Sequence, residues 1–224
     1  MPAATIPLFP ELTPVLDNVT ALDFETTGLS ASKGRVIEMA ALKSSGGKVV
    51  TQFQTMVKLK GKIPAKTTQL TGIRQEDVRQ GMEERTAFLI LQELIGDSVV
   101  VMHNAPYDLA FLYSAYQRLS LPPVQHPFLD TLSVCRLRQP SPRSLPDMCR
   151  AYGIEHTRWH RALPDTTATW KLLHRLHEES PVDPLLNKIV VNPQYGWPKW
   201  LPPLAEILLP PDTSASERGQ APVA

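Results

Sequence analysis

The chain is short of cysteine, of net charge and of long apolar runs, and each shortage closes off a class of protein. Its 224 residues include only Cys135 and Cys149. That is too few for a disulfide framework or a zinc cluster, so both read as buried, reduced thiols. The formal net charge is +1, which does not fit a general nucleic-acid coat. No apolar stretch approaches the ~20 residues that span a bilayer. No Lys or Arg precedes Lys33, so the start lacks the charged segment and apolar core of a signal peptide. A soluble, cytoplasmic protein is expected. No internal repeat is visible.

What is present is enough for one domain with a sizeable core: the chain is 42% hydrophobic. Prolines mark its two ends. Pro2, Pro7, Pro10 and Pro14 preclude a continuous helix over residues 1–17, which read as an extended arm. From residue 181 prolines recur again, yet Ile189, Val190, Trp197, Trp200, Leu201 and Ile207 make residues 181–209 too apolar for a plain tail. Within this Pro-rich extension, 181–224, residues 181–209 either wrap the domain or dock on a partner, and packing on their own domain is favoured; 212–224 are expected to be disordered.

Between these ends, residues 18–180 alternate in periodicity. Val19–Phe24, Arg35–Lys43 and Val49–Val57 read as strands, the last two joined as a hairpin through Gly46 and Gly47. Glu83–Ile95 has helical spacing and Gly96 to end it. Ser98–Met102 reads as a buried parallel strand, Tyr107–Leu119 as a helix, and Phe128–Leu132 as the last strand. Arg143–Tyr152 and Thr166–His177 read as helices. A hairpin followed by alternating strands and helices indicates an α/β fold with a mixed sheet.

Charge is patterned although its total is small. Arg136, Arg138, Arg143, Arg150, Arg158 and Arg161 crowd one segment, and Lys58, Lys60, Lys62 and Lys66 another. Basic segments flanking an acidic centre suit a polyanionic substrate that must also meet metal ions. The acidic centre comes from three motifs: Asp23-Phe24-Glu25-Thr26-Thr27-Gly28, His103-Asn104-Ala105-Pro106-Tyr107-Asp108, and His160-Arg161-Ala162-Leu163-Pro164-Asp165. Asp23 and Glu25, two apart on a strand, share a face about 6–7 Å from each other. Asp108 and Asp165 lie near helix starts, on the inward side. Helix N-capping is the rival role for each. His160 has an imidazole, whose ordinary pKa of ~6.5 suits a base acting on water. His103, His126, His156, His174 and His177 read as surface residues.

Together, in this order, the motifs resemble the DEDDh branch of the 3′–5′ exonuclease superfamily, over residues 18–178. Pro164 stands where that family often has an acidic or apolar residue. The resemblance implies a ribonuclease-H-like fold with a five-stranded sheet, one strand running against the others. It implies two Mg²⁺ or Mn²⁺ ions held by Asp23, Glu25, Asp108 and Asp165, with Asp23 bridging both and His160 as the base. It places Thr26, Thr27 and Leu29 near the 3′-terminal nucleotide, with Asn104 orienting substrate or a ligand. The implied activity is 3′–5′ removal of nucleoside 5′-monophosphates from single-stranded or frayed DNA, in proofreading or repair, with a DNA polymerase subunit as the expected partner. RNA trimming on the same fold is the alternative. An aspartate-nucleophile phosphatase also begins from an acid-x-acid strand end, but its second position wants Asp where this chain has Glu25.

Overall fold

The computed structural model describes residues 14–123, 125–139, 143–192 and 196–210. Most of the expected N-terminal arm, and the segment 212–224, lie outside them. A single helical turn, α1 (Pro14–Asp17), leads into β1 (Asn18–Thr26), β2 (Val36–Ser45) and β3 (Lys48–Met56). Short helices α2 (Ala65–Thr71) and α3 (Gln75–Arg79) precede α4 (Glu84–Ile95). Then come β4 (Val99–Met102), α5 (Ala105–Leu119), β5 (Phe128–Asp130), α6 (Thr131–Arg138), α7 (Leu145–Ala151) and α8 (Ala162–Glu179). Short strands β6 (Lys188–Val190) and β7 (Glu206–Leu208) close the described chain.

The main sheet has the order β3-β2-β1-β4-β5. β2 is antiparallel to both neighbours, whereas β1, β4 and β5 are mutually parallel. This is the mixed, five-stranded, ribonuclease-H-like sheet expected from the sequence.

Strand alternation gives each face its own core. Leu22 and Phe24 of β1 point to the side of α4 and α5, where Phe24 meets Phe88 edge-on at 6.2 Å. Val19 and Ala21 point to the other side and pack with Leu172, Leu173 and Leu176 of α8. Asp23 and Glu25 continue that second row toward the end of β1, so α8 faces them. The extension joins the first core through buried Ile189 and Val191, with Trp197, Trp200 and Leu201 packed against it. β6 and β7 pair in parallel as a separate two-stranded sheet.

Several boundaries differ from the sequence reading. The last strand ends at Asp130 rather than Leu132, because the Asp130 side chain accepts from Leu132 N and starts α6. The 143–152 helix is shorter, beginning at Leu145 behind an N-cap Ser144. The last helix begins four residues before Thr166. Pro164 fits inside its first turn, where a missing N–H costs nothing. Residues 14–17, expected as part of an extended arm, form the helical turn α1, and helices α2, α3 and α6 and strands β6 and β7 have no counterpart in the sequence reading. Both cysteines are buried and free.

Candidate active site

Three chain segments meet at the end of β1. Asp23 and Glu25 come from the strand itself, Asp108 from α5 and Asp165 from α8. Asp23, Glu25 and Asp165 each offer an oxygen within 4.8 Å of the others. Asp108 reaches the same strand end: its Oδ1 accepts from Phe24 N at 3.1 Å. That N–H lies beyond Ala21↔Val101, the last β1–β4 pair, so the carboxylate replaces a missing ladder bond.

The rival N-cap roles do not hold. Asp108 and Asp165 both occupy the fourth position of their helices, behind Asn104 and Arg161 as caps. Both are buried, at 4% and 8% exposure, as is Glu25 at 7%.

Crowding controls their protonation. Burial, then the charges of Asp165, Glu38 and Asp108, push Glu25 up to about 8. Burial pushes Asp108 up to about 8 against the Phe24 N–H bond, which favours the anion. Asp23 is raised well above the usual carboxylate range by burial and by all its acidic neighbours. Asp165 is raised by burial and held back by His156. A site that disfavours its own anions this strongly, and presents only hard oxygen donors, fits divalent cations such as Mg²⁺ or Mn²⁺.

His156 corrects the sequence reading, which left it at the surface. Its Nε2 lies 2.6 Å from Asp165 Oδ1, and its ring stacks on Trp159 at 3.5 Å. His103 is also no surface residue. Its Nδ1 bonds Thr131 Oγ1 at 2.9 Å and its Nε2 bonds the Arg143 carbonyl at 3.1 Å. Burial pushes its pKa down. His160 is exposed, at φ 58°, and lines a cleft of about 610 Å³ together with Asp23, Asp165, Arg136, Arg143 and Trp159.

Two further acids were missed. Glu38 sits opposite Glu25 across the β1–β2 ladder, and like charges so placed repel. Arg161 resolves the conflict with a two-pronged grip on Glu38, at 2.9 Å from Nε and 2.8 Å from Nη2. Glu38 also accepts from Ala162 N at 3.2 Å. Asp130 Oδ1 accepts from Asn104 N and Ala105 N, fixing the left-handed turn (φ 79°) that opens α5. Much of the basic segment is engaged within the protein: Arg161 holds Glu38, Arg138 donates to the carbonyls of Leu176, Ser180 and Pro181, Arg136 to that of Val190 and Arg143 to that of Gln139.

The Thr26–Leu29 turn is tightly made. Thr26 Oγ1 bonds Gly28 O at 2.9 Å and Tyr107 Oη at 2.5 Å. Thr27 Oγ1 accepts from Arg35 N at 2.9 Å. Leu29 projects from this turn, 87% exposed. Asn104 lines the cleft.

A ribonuclease-H-like sheet whose strand end gathers four carboxylates defines a class of metal-dependent nuclease domains. Residues 20–173 match the model of the RNase_T exonuclease family. The chain belongs to that family, in its DEDDh branch. It is 35% identical over 186 residues to a PolC-type DNA polymerase III of Oceanobacillus iheyensis, and 33% identical over 167 residues to that of Bacillus subtilis. These alignments cover 80% and 73% of this chain but only 13% and 12% of those polymerases. Among solved structures, Escherichia coli exonuclease I in a zinc-bound complex with single-stranded DNA superposes with a TM-score of 0.68. The identity there is 21%, over 74% of this chain and 41% of that one, and the likeness is one of fold. No described helix is long and apolar enough to cross a membrane.

Proposed function

We propose that residues 18–180 form a 3′–5′ exonuclease that removes nucleoside 5′-monophosphates from single-stranded or frayed DNA, in proofreading or repair. The observation that carries this reading is the meeting of Asp23, Glu25, Asp108 and Asp165 at one strand end, with His160 on the rim of the same cleft. These four carboxylates would hold two Mg²⁺ or Mn²⁺ ions, with Asp23 shared between them. Such a pair supplies an activated water and offsets charge on the leaving 3′ oxygen. His160, exposed to the cleft, would accept a proton from an attacking water. His156 holds Asp165 in its rotamer from the side away from solvent. Thr26 and Thr27 lock the turn that presents Leu29, which wedges beside the terminal base. Asn104 orients the terminal phosphate region. Arg136 and Arg143 lie along the cleft wall, where an incoming phosphodiester needs positive charge. DNA is favoured over RNA because the relatives of highest similarity given above are named as DNA polymerases. A polymerase subunit is the partner this implies.

The test uses a 3′-labelled DNA oligonucleotide with Mn²⁺ or Mg²⁺. Label should leave as mononucleotide, stop with chelator, and return when metal is restored. Asp165→Ala and His160→Ala should each lower kcat by about 10²-fold or more while circular dichroism stays native. Near-normal rates in both variants, or cutting within a circular single strand, would contradict the assignment.

A further inference from the structure

The Pro-rich extension does more than cover the core. A groove of about 670 Å³ runs along α5, between the turn that carries Leu29 and the segment Gly196–Trp200. Its floor is Tyr107, Phe111 and Ser114 of α5, and its outer wall is Trp197, Lys199 and Trp200. Asn104 and Arg136 line both this groove and the catalytic cleft. The two cavities therefore adjoin, and a strand whose 3′ end lies in the cleft meets the groove next.

The wall is built unlike core packing. Lys199 is exposed among aromatic residues. Trp200 is steadied against Tyr113, ring to ring at 5.6 Å. Gly196 has φ 82°, a conformation that a residue with a Cβ adopts only under strain. Trp197 presents an indole to the groove while anchored on the first core. Flat aromatic faces next to a cation, in a groove continuous with a nuclease cleft, are the means by which proteins hold single strands without reading sequence.

We infer that Trp197 and Lys199 form a further nucleotide subsite, which binds single-stranded DNA from the third nucleotide onward, counted from the 3′ end. This rests on the exonuclease reading of the neighbouring cleft. Trp197 stacks a base, and Lys199 meets the adjoining phosphate.

The experiment is a titration of fluorescein-labelled dT2, dT5 and dT10 by anisotropy, in chelator so that nothing is cut. The wild-type protein should bind dT5 more tightly than dT2. Trp197→Ala should weaken dT5 binding by about 5-fold or more, and dT2 binding by clearly less. Lys199→Ala, at an exposed position that does not threaten folding, should reduce the slope of log affinity against log salt by about 0.7 for dT10. Equal losses for dT2 and dT5 in Trp197→Ala, or an unchanged salt slope in Lys199→Ala, would overturn the subsite. Hydrolysis of thymidine 5′-p-nitrophenyl phosphate by the wild-type protein with Mn²⁺ reads the catalytic assignment separately. If that ester is not turned over, the exonuclease reading fails, and a length-dependent loss in Trp197→Ala would still support the groove.

Discussion

Without metal, this protein should lose stability as pH rises from 7 to 8.5, the reverse of what a salt-bridged acid does. Glu25 and Asp108 are both pushed up to about 8 in the folded chain, well above the ordinary carboxylate range. A raised carboxyl pKa means that the folded state holds a proton which the unfolded state has released. Stability is then greatest at low pH and falls as pH climbs through the folded-state value. Integrating between pH 7 and pH 8.5 gives roughly 1 kcal/mol for each group, so roughly 2–3 kcal/mol for the two. For a chain of this size that lowers Tm by roughly 5–10 °C. Burial lowers the pKa of His103, His126 and His174, so these gain stability as pH rises through the ordinary histidine range and are spent above 7. Burial also raises both thiols, so the unfolded chain releases their protons first and a smaller loss of the same sign begins near the top of the window.

The assay is thermal unfolding in chelator at several pH values, repeated with Mn²⁺. Divalent cations replace the protons and screen the carboxylates. At 100-fold excess over Kd they add about 2.7 kcal/mol, so the decline should flatten and Tm should rise most at pH 8.5. Glu25→Gln should remove part of the pH slope and weaken the Mn²⁺ response. A metal-free Tm that stays level or rises between pH 7 and 8.5 would refute the picture of a crowded acidic cluster.

Three other outcomes are expected. Arg161→Ala strands the fully buried Glu38 carboxylate and should cost about 3 kcal/mol, read as a lower urea midpoint; Arg161→Lys should not restore it, because one ammonium cannot make both bonds. His156→Ala should raise the Mn²⁺ concentration for half-maximal rate by about 10–100-fold, with a smaller change in kcat at saturating metal. An oligonucleotide ending in a 3′-phosphate should resist digestion relative to its 3′-hydroxyl counterpart, measured as release of labelled mononucleotide.

Much of the scaffold was legible because local pattern and tertiary environment agree. The alternation Leu22-Asp23-Phe24-Glu25 survives folding unchanged, with Phe24 in one core and both acids on the other side. The apolar spacing of Phe88, Leu91 and Ile95, and of Phe111, Leu112 and Ala115, gave α4 and α5. Helix α6 escaped because its sequence, TLSVCRLR, carries no clean stripe. Its start depends on Asp130, whose Oδ1 accepts both from Leu132 N in α6 and from Asn104 N at the end of the neighbouring parallel strand. His156 escaped because nothing beside it in sequence marks it: only the loop running back to α8 brings it to Asp165.

The placement of the four acids was legible in the sequence, while its cause was not. Asp108 and Asp165 stand at equivalent positions of α5 and α8, so their aim depends on how each helix begins. Neither helix has a side-chain bond from its own N-cap residue. Distant carboxylates take that part: Asp130 accepts from the first N–H groups of α5, and Glu38 from the first of α8. An acid at a helix start is favourable to the helix dipole wherever in the chain it comes from. A search for local capping signals therefore finds nothing at Asn104 or Arg161. Yet these two remote acids set the rotation of both helices about β1, and that rotation decides whether four negative groups converge or pass one another.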